Sequence, residues 1–101
     1  MDESLRELID IDRTIHEPAR LIIMAILSAV EEADFLYLLQ ATGLTRGNLS
    51  SHLTRLETAG YVSIEKSFAG KIPRTVGRLT GEGRQALDSY RRQMGAVIGS
   101  D

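Results

Sequence analysis

The sequence predicts an α+β fold that is mostly α: a three-helix core, a β-hairpin after it, and an extra helix at each end. Three observations carry this. Apolar residues recur at helical spacing through most of the chain. Over residues 61–79 the pattern changes to a rough alternation of β-formers around a Gly/Pro loop. Two of the core helices are separated by only a short turn that contains a glycine. The 101 residues have room for one domain, 1–101, with one modest core. Charged residues make up 26% and hydrophobic ones 43%, the balance of a soluble globular protein. With no Trp and 5% aromatics, that core is built mostly of Leu, Ile, Val and Ala.

Each element has a local reason. Leu5, Leu8, Ile9 and Ile15 fall at roughly helical spacing and predict a helix over 4–15, with Asp12 interrupting its stripe. His16, Glu17 and Pro18 break the pattern, and a proline in the first turn starts a second helix at Pro18, running to about Ala29. Leu21, Ile22, Met24, Ala25, Ile26 and Leu27 make that helix apolar nearly all round, which predicts the central buried one. Asp34 reads as the N-cap of a third helix that Gly43 stops. Thr45 reads as the cap of a fourth, 45–59, where Leu49, Leu53 and Leu56 form one inward stripe before Gly60. Residues 61–68 read as a strand, 69–74 as a loop and 75–79 as the returning strand. Thr80 reads as the cap of a last helix, 80–98. Glu82 suits its dipole, while Gly81 and Gly83 weaken its first turn. Residues 99–101 read as a frayed tail.

Charge is unevenly placed. The net charge is −2. Residues 1–44 carry three arginines against nine acids, a net of −6. Residues 45–84 carry seven cations against three acids, a net of +4, and 85–101 balance. A basic segment on an acidic body binds anions locally.

Several function classes are excluded. The run at 21–30 is too short to span a bilayer, so no membrane partner is expected. The acidic N-terminus lacks the basic start of a secretory signal. The absence of cysteine fits a reducing, cytoplasmic compartment and removes thiolate metal sites. His16 and His52 are the only histidines and have no metal-ligand spacing. No phosphate loop, nucleophile motif or paired catalytic acids are present, and Glu31-Glu32 reads as a solvated turn. Neither enzyme activity nor a cofactor is expected. RNA binding would require exposed stacking aromatics, which the sequence does not suggest.

The helices at 34–42 and 45–59 form a helix-turn-helix, 34–60, inside a trihelical core, 18–60. The second helix of such a pair enters a DNA major groove. On a wheel with the leucine stripe inward, Gly47, Ser51, Thr54, Arg55 and Thr58 face outward, with Asn48 at the edge and Arg46 and His52 on the flanks. Only Glu57 intrudes. Asn and Arg read base edges, Ser and Thr contact phosphates or bases, and the small residues permit close approach. Lys71 and Arg74 flank Pro73 at the hairpin tip, a stiffened basic loop.

Residues 44–62, LTRGNLSSHLTRLETAGYV, resemble the recognition helix and first wing strand of winged-helix regulators of the MarR and ArsR type. Residues 64–87, with the run K-x-F-x-G-K-x-P-R-T and then L-T-x-E-G-R, resemble a group of stand-alone winged-helix DNA-binding domains. The likeness covers about 15–92. It implies a cytoplasmic homodimer that binds double-stranded DNA at a pseudo-palindromic operator. By position it assigns Thr45, Arg46, Asn48, Ser51 and His52 to the groove-facing half of the recognition helix. It assigns Lys71 and Arg74 to the wing, whose residues 67–75 would lie on the backbone or in the minor groove. Arg55 is added from the wheel.

The last helix carries a narrow seam, Leu87, Tyr90, Met94 and Val97, and the first carries Leu5 and Leu8. These six are the expected dimer interface, which would set half-sites about 34 Å apart. An unidentified small-molecule effector would bind at that interface. The competing reading is a winged-helix protein–protein docking module that does not bind DNA. The basic, acid-poor face argues against it.

Overall fold

Side-chain caps set where the helices begin. The computed structural model describes residues 3–99, so Ser100 and Asp101 of the expected frayed tail lie outside it. Helix α1 spans Glu3–Arg6, α2 Pro18–Ser28, α3 Phe35–Thr42, α4 Arg46–Thr58 and α5 Gly81–Ile98. Glu17 accepts from the N–H groups of Ala19 (2.8 Å) and Arg20 (3.2 Å) at the start of α2. Asp34 accepts from Tyr37 N–H at 2.8 Å, Thr45 from Asn48 at 3.1 Å and Thr80 from Gly83 at 2.9 Å. Each satisfies a donor that the helix cannot, a contribution of about 1 kcal/mol. Gly43 closes α3 in the left-handed region, φ +71°. Past α4, Tyr61 N–H donates to Leu56 C=O (3.0 Å) and Gly60 N–H to Glu57 C=O (2.9 Å), the Schellman closure.

The helix expected over 4–15 does not form as one piece. After α1 the chain makes a 3₁₀ turn, Glu7–Asp10, and Ile11 is then extended. The cause is Asp12. Its Oδ1 accepts from Thr14 (2.9 Å) and Ile15 (3.2 Å) N–H groups, a local turn that competes with helix. Its Oδ2 accepts the Tyr61 hydroxyl. Burial, then the Asp12 bond and charge, push the Tyr61 phenol up to about 12. Ile15 is thereby planted in the core.

Helix α2 is central but not enclosed. Ile23, Met24 and Leu27 are buried with Leu38, Leu49, Leu56 and Leu87, whereas Ile22 and Ala25 are exposed. Its apolar circumference predicted burial all round. A chain this short has too few elements to cover every side of one helix.

Three antiparallel strands complete the fold: β1 (Ala33–Asp34), β2 (Val62–Ala69) and β3 (Ile72–Leu79), in the order β1-β3-β2. The hairpin is longer than expected. Ala69 pairs with Ile72 across a two-residue turn, so most of the expected 69–74 loop is strand. Gly70 at φ +67° opens that turn, and Lys71 keeps a negative φ, the type II′ pattern. Pro73 faces Phe68, one pair beyond the closing pair, where the missing N–H would point away from β2. β1 pairs only with Gly77 and Val76, which leaves the outer edge of β3 open along 72–75.

The start of α5 is stitched to the end of α4. Thr80 N–H donates to Tyr61 C=O (3.0 Å) and its hydroxyl to Gly60 C=O (2.7 Å). Gly83 is buried in this junction, where a Cβ would collide with the Tyr61 carbonyl; at Gly81 a Cβ would meet nothing. The two glycines therefore differ in kind. Gly83→Ala is expected to cost about 2 kcal/mol or more through overpacking. Gly81→Ala should stabilise by about 0.5–1 kcal/mol through helix propensity. Urea unfolding of both variants checks this; equal effects would contradict the close approach.

Candidate nucleic-acid interface

The first turns of α4 present a polar surface made mostly of small residues. Thr45, Arg46, Gly47, Asn48, Ser51, Thr54, Arg55 and Thr58 are all exposed, while Leu49, Leu53 and Leu56 are buried beneath them. The Thr45 hydroxyl accepts from Asn48 N–H and keeps its own O–H free to donate. Thr54 turns its hydroxyl back to Ser50 C=O at 3.0 Å. Arg46 and Arg55 have no ion-pair partner among the described residues. The expected contact residues Thr45, Arg46, Asn48, Ser51 and Arg55 thus share one accessible surface.

His52 does not belong to that surface. It lies three residues after Leu49 and one before Leu53, so its ring turns toward the body. Its Nδ1 is 3.1 Å from Arg20 Nη1 and 3.3 Å from Glu17 Oε2. Arg20 is itself 8% exposed. It donates from Nε to Thr14 C=O at 2.6 Å and lies 3.6 Å from Glu17. The expected DNA contact is therefore corrected: His52 ties α4 to the start of α2. Its closeness to the leucine stripe was the signal available in the sequence.

The wing places its cations unequally. Lys71 is in the turn, exposed and without an ion-pair partner among the described residues. Arg74 is 3.8 Å from Glu32, and Arg78 pairs with Glu32 at 2.6 Å and Glu65 at 3.7 Å. Glu32, expected in a solvated turn, thus holds two wing arginines. Arg46 and Arg74 face each other across a groove of about 450 Å³, walled by Asp34, Phe35, Ile72 and Pro73. Sequence reasoning passed over Phe68 and Ile72, both exposed on the wing, and Tyr37, exposed on α3. The expectation of no exposed aromatics is corrected accordingly. Exposure of an aromatic in a strand has no local signature.

The expected dimer stripe divides. Leu87 and Tyr90 are buried in their own chain's core, and the Tyr90 hydroxyl lies 2.9 Å from His16 Nδ1. Both are corrected from interface to core positions. Met94 packs partly against that core, and Val97 is exposed. Leu5 is exposed and Leu8 half-buried, on the segment that packs along α5. Among the described residues, no group of His, Cys, Asp or Glu is arranged to hold a metal ion, and no helix is long and apolar enough to cross a membrane.

The Glu17 cap gives this junction a pH dependence. Burial acts to raise its carboxyl, but the N–H groups of Ala19 and Arg20, with the His52 and Arg20 charges, outweigh it and hold it below 4.5. A lowered folded value contributes stability that is present above the unfolded pKa and lost as pH falls through the folded one. Glu17→Ala is expected to cost about 1 kcal/mol at neutral pH. The gap from wild type should close below pH 4.5. Denaturant unfolding at acid and neutral pH checks this; a gap independent of pH would contradict it.

Comparison with known proteins agrees with this geometry. The model of the winged helix DNA-binding domain family matches residues 19–98. An uncharacterised protein of Methanocaldococcus jannaschii is 38% identical over 71 residues, 70% of this chain and 77% of that one. A transcriptional regulator homologue from Pyrococcus horikoshii OT3 superposes with a TM-score of 0.87 at 33% identity, over 98% of this chain and 97% of that one. NadR, solved in complex with 4-hydroxyphenylacetate, gives 0.64 at 26% identity, over 81% of this chain and 56% of its own. A helix-turn-helix with a cation-bearing wing, matched by both family and fold, makes this chain a winged-helix regulator and a member of the winged helix DNA-binding domain family.

Proposed function

We propose that this regulator binds double-stranded DNA sequence-specifically as a homodimer in the cytoplasm. Helix α4 enters the major groove, and the β2–β3 wing lies on the backbone or in the minor groove. One observation carries the reading. Arg46, Asn48, Ser51 and Arg55 form an exposed surface on which Glu57 is the one acid of α4, and the wing adds the exposed Lys71. Asn48 and Arg46 are suited to base edges, and Thr45, Ser51, Arg55 and Lys71 to phosphates. Three other nearby acids are already engaged: Glu17 and Asp34 cap helices, and Glu32 holds Arg78.

The homodimer is supported by apolar side chains left uncovered on the N-terminal segment and α5. Leu5, Ile9, Val97 and Ile98 are exposed, and Leu8 and Met94 are half-buried beside them. A second copy would remove them from water. An effector at that seam is part of the proposal, supported by NadR having been solved with a small molecule. Placement with the MarR or ArsR type rests on the sequence resemblance.

Selection of duplexes from a random pool, with sedimentation of the free protein, tests the reading. A pseudo-palindrome with half-sites about one turn apart is expected. With three or four phosphates engaged per protomer, log K should fall with log salt at a slope of roughly −5 to −7. A flat salt response with no duplex retained would favour a protein-docking module. Lys71→Ala should weaken binding to all sequences alike, whereas Asn48→Ala should relax preference at particular base pairs. An unchanged preference in Asn48→Ala would mean that α4 is oriented differently in the groove.

A further inference from the structure

The wing tip has an apolar component that its charge does not account for. Phe68 is 72% exposed and Ile72 70% exposed, and neither belongs to the core. Phe68 shares a hairpin face with Lys66, Pro73 and Thr75, because Phe68 pairs with Pro73 and Lys66 with Thr75. Nearer the base, the same face meets α4: Ile64, Lys66 and Thr75 line a cleft with Ser50, Thr54 and Glu57. Phe68 therefore stands on the side of the wing that looks toward the recognition helix. Ile72 is on the opposite hairpin face and borders the groove with Arg46 and Arg74.

Charge selects what covers this ring. Residues 66–75 include Lys66, Lys71 and Arg74 and no acid. A second copy of the tip would set cation against cation, whereas a polyanion is complementary. The shape agrees. The two-residue Gly70-Lys71 turn keeps the tip narrow, so that the Phe68 side chain, not the two-stranded ribbon, enters a minor groove about 6 Å wide. Eight paired residues reach about 26 Å, beyond the roughly 17 Å of half a helical turn that separates neighbouring grooves.

We propose that Phe68 is an apolar wedge that enters the minor groove beside the α4 site, partly unstacks one base step and bends the duplex. Lys66 and Lys71 hold the phosphates that flank it. The residue thereby reads deformability, favouring a flexible pyrimidine–purine step that no side chain contacts by hydrogen bond. This rests on the DNA-binding reading above and adds a specificity determinant to it.

The test uses the full chain and the duplex recovered by selection with wild type. 2-Aminopurine is placed at successive steps, and end-to-end energy transfer reports the bend. Wild type is expected to raise fluorescence at one step outside the α4 contacts and to shorten the end-to-end distance. F68L should keep both signals. F68S should lose both and bind about tenfold more weakly, with an unchanged thermal melt because the ring is outside the core. I22S, which removes an exposed apolar side chain on α2 whose neighbours are on neither α4 nor the wing, should behave as wild type. If F68S bends and unstacks the duplex as wild type does, or I22S loses the signals equally, the wedge is overturned while the DNA reading stands. If F68S changes the oligomeric state without DNA, the ring covers a second copy and the wedge is again overturned. If wild type retains no duplex, the DNA reading itself fails, and the wedge with it.

Discussion

The buried guanidinium of Arg20 is the constraint around which the helices are arranged. A charge removed from water must be surrounded by partners, or its burial costs several kcal/mol. Arg20 finds them in three places at once. It donates to the carbonyl of Thr14 in the loop before α2, approaches Glu17 at the α2 cap, and lies 3.1 Å from His52 Nδ1 on α4. These contacts fix how α4 lies against α2. Because Leu49, Leu53 and Leu56 define the inner side of α4, fixing its rotation also fixes which side chains face outward. The exposed polar surface of α4 is thus set from underneath.

Charge is divided by engagement as well as by position. Several acids near the interface are held in the fold, though Glu57 on α4 stays exposed: Glu17 and Asp34 accept helix N–H groups, Asp12 accepts the Tyr61 hydroxyl, and Glu32 holds Arg78 and approaches Arg74. The cations left without ion pairs among the described residues include Arg46, Arg55, Lys66 and Lys71. Those four lie on α4 and the wing. A net charge of −2 is therefore compatible with a locally attractive surface, since ions beyond a Debye length of about 8 Å contribute little.

Legibility followed the range of each interaction. The Asp34, Thr45 and Thr80 caps were readable because a cap and its donor lie within one turn. The break in the first helix was not, because Asp12 has a second partner in Tyr61 that comes 49 residues later in the chain. The two residues of β1 are too few for a period and exist by pairing with β3. Pro73 read as loop, yet it lies in a strand, at a pair that needs no N–H toward β2. Leu87 and Tyr90 had the spacing of a seam, and spacing does not distinguish a seam from a core.

By itself the sequence determined the order of the four longer helices and the hairpin, the helix-turn-helix, the presence of a wing and the basic segment that carries them. Periodicity, caps and turn glycines act between residues a few positions apart, so the chain states them directly. The tertiary structure alone decided that His52 faces inward, that Glu32 restrains the wing arginines, and that Phe68 stands exposed on the side of α4. Those outcomes depend on which side chains meet across elements far apart in the chain, and on which are left without cover once the core is filled.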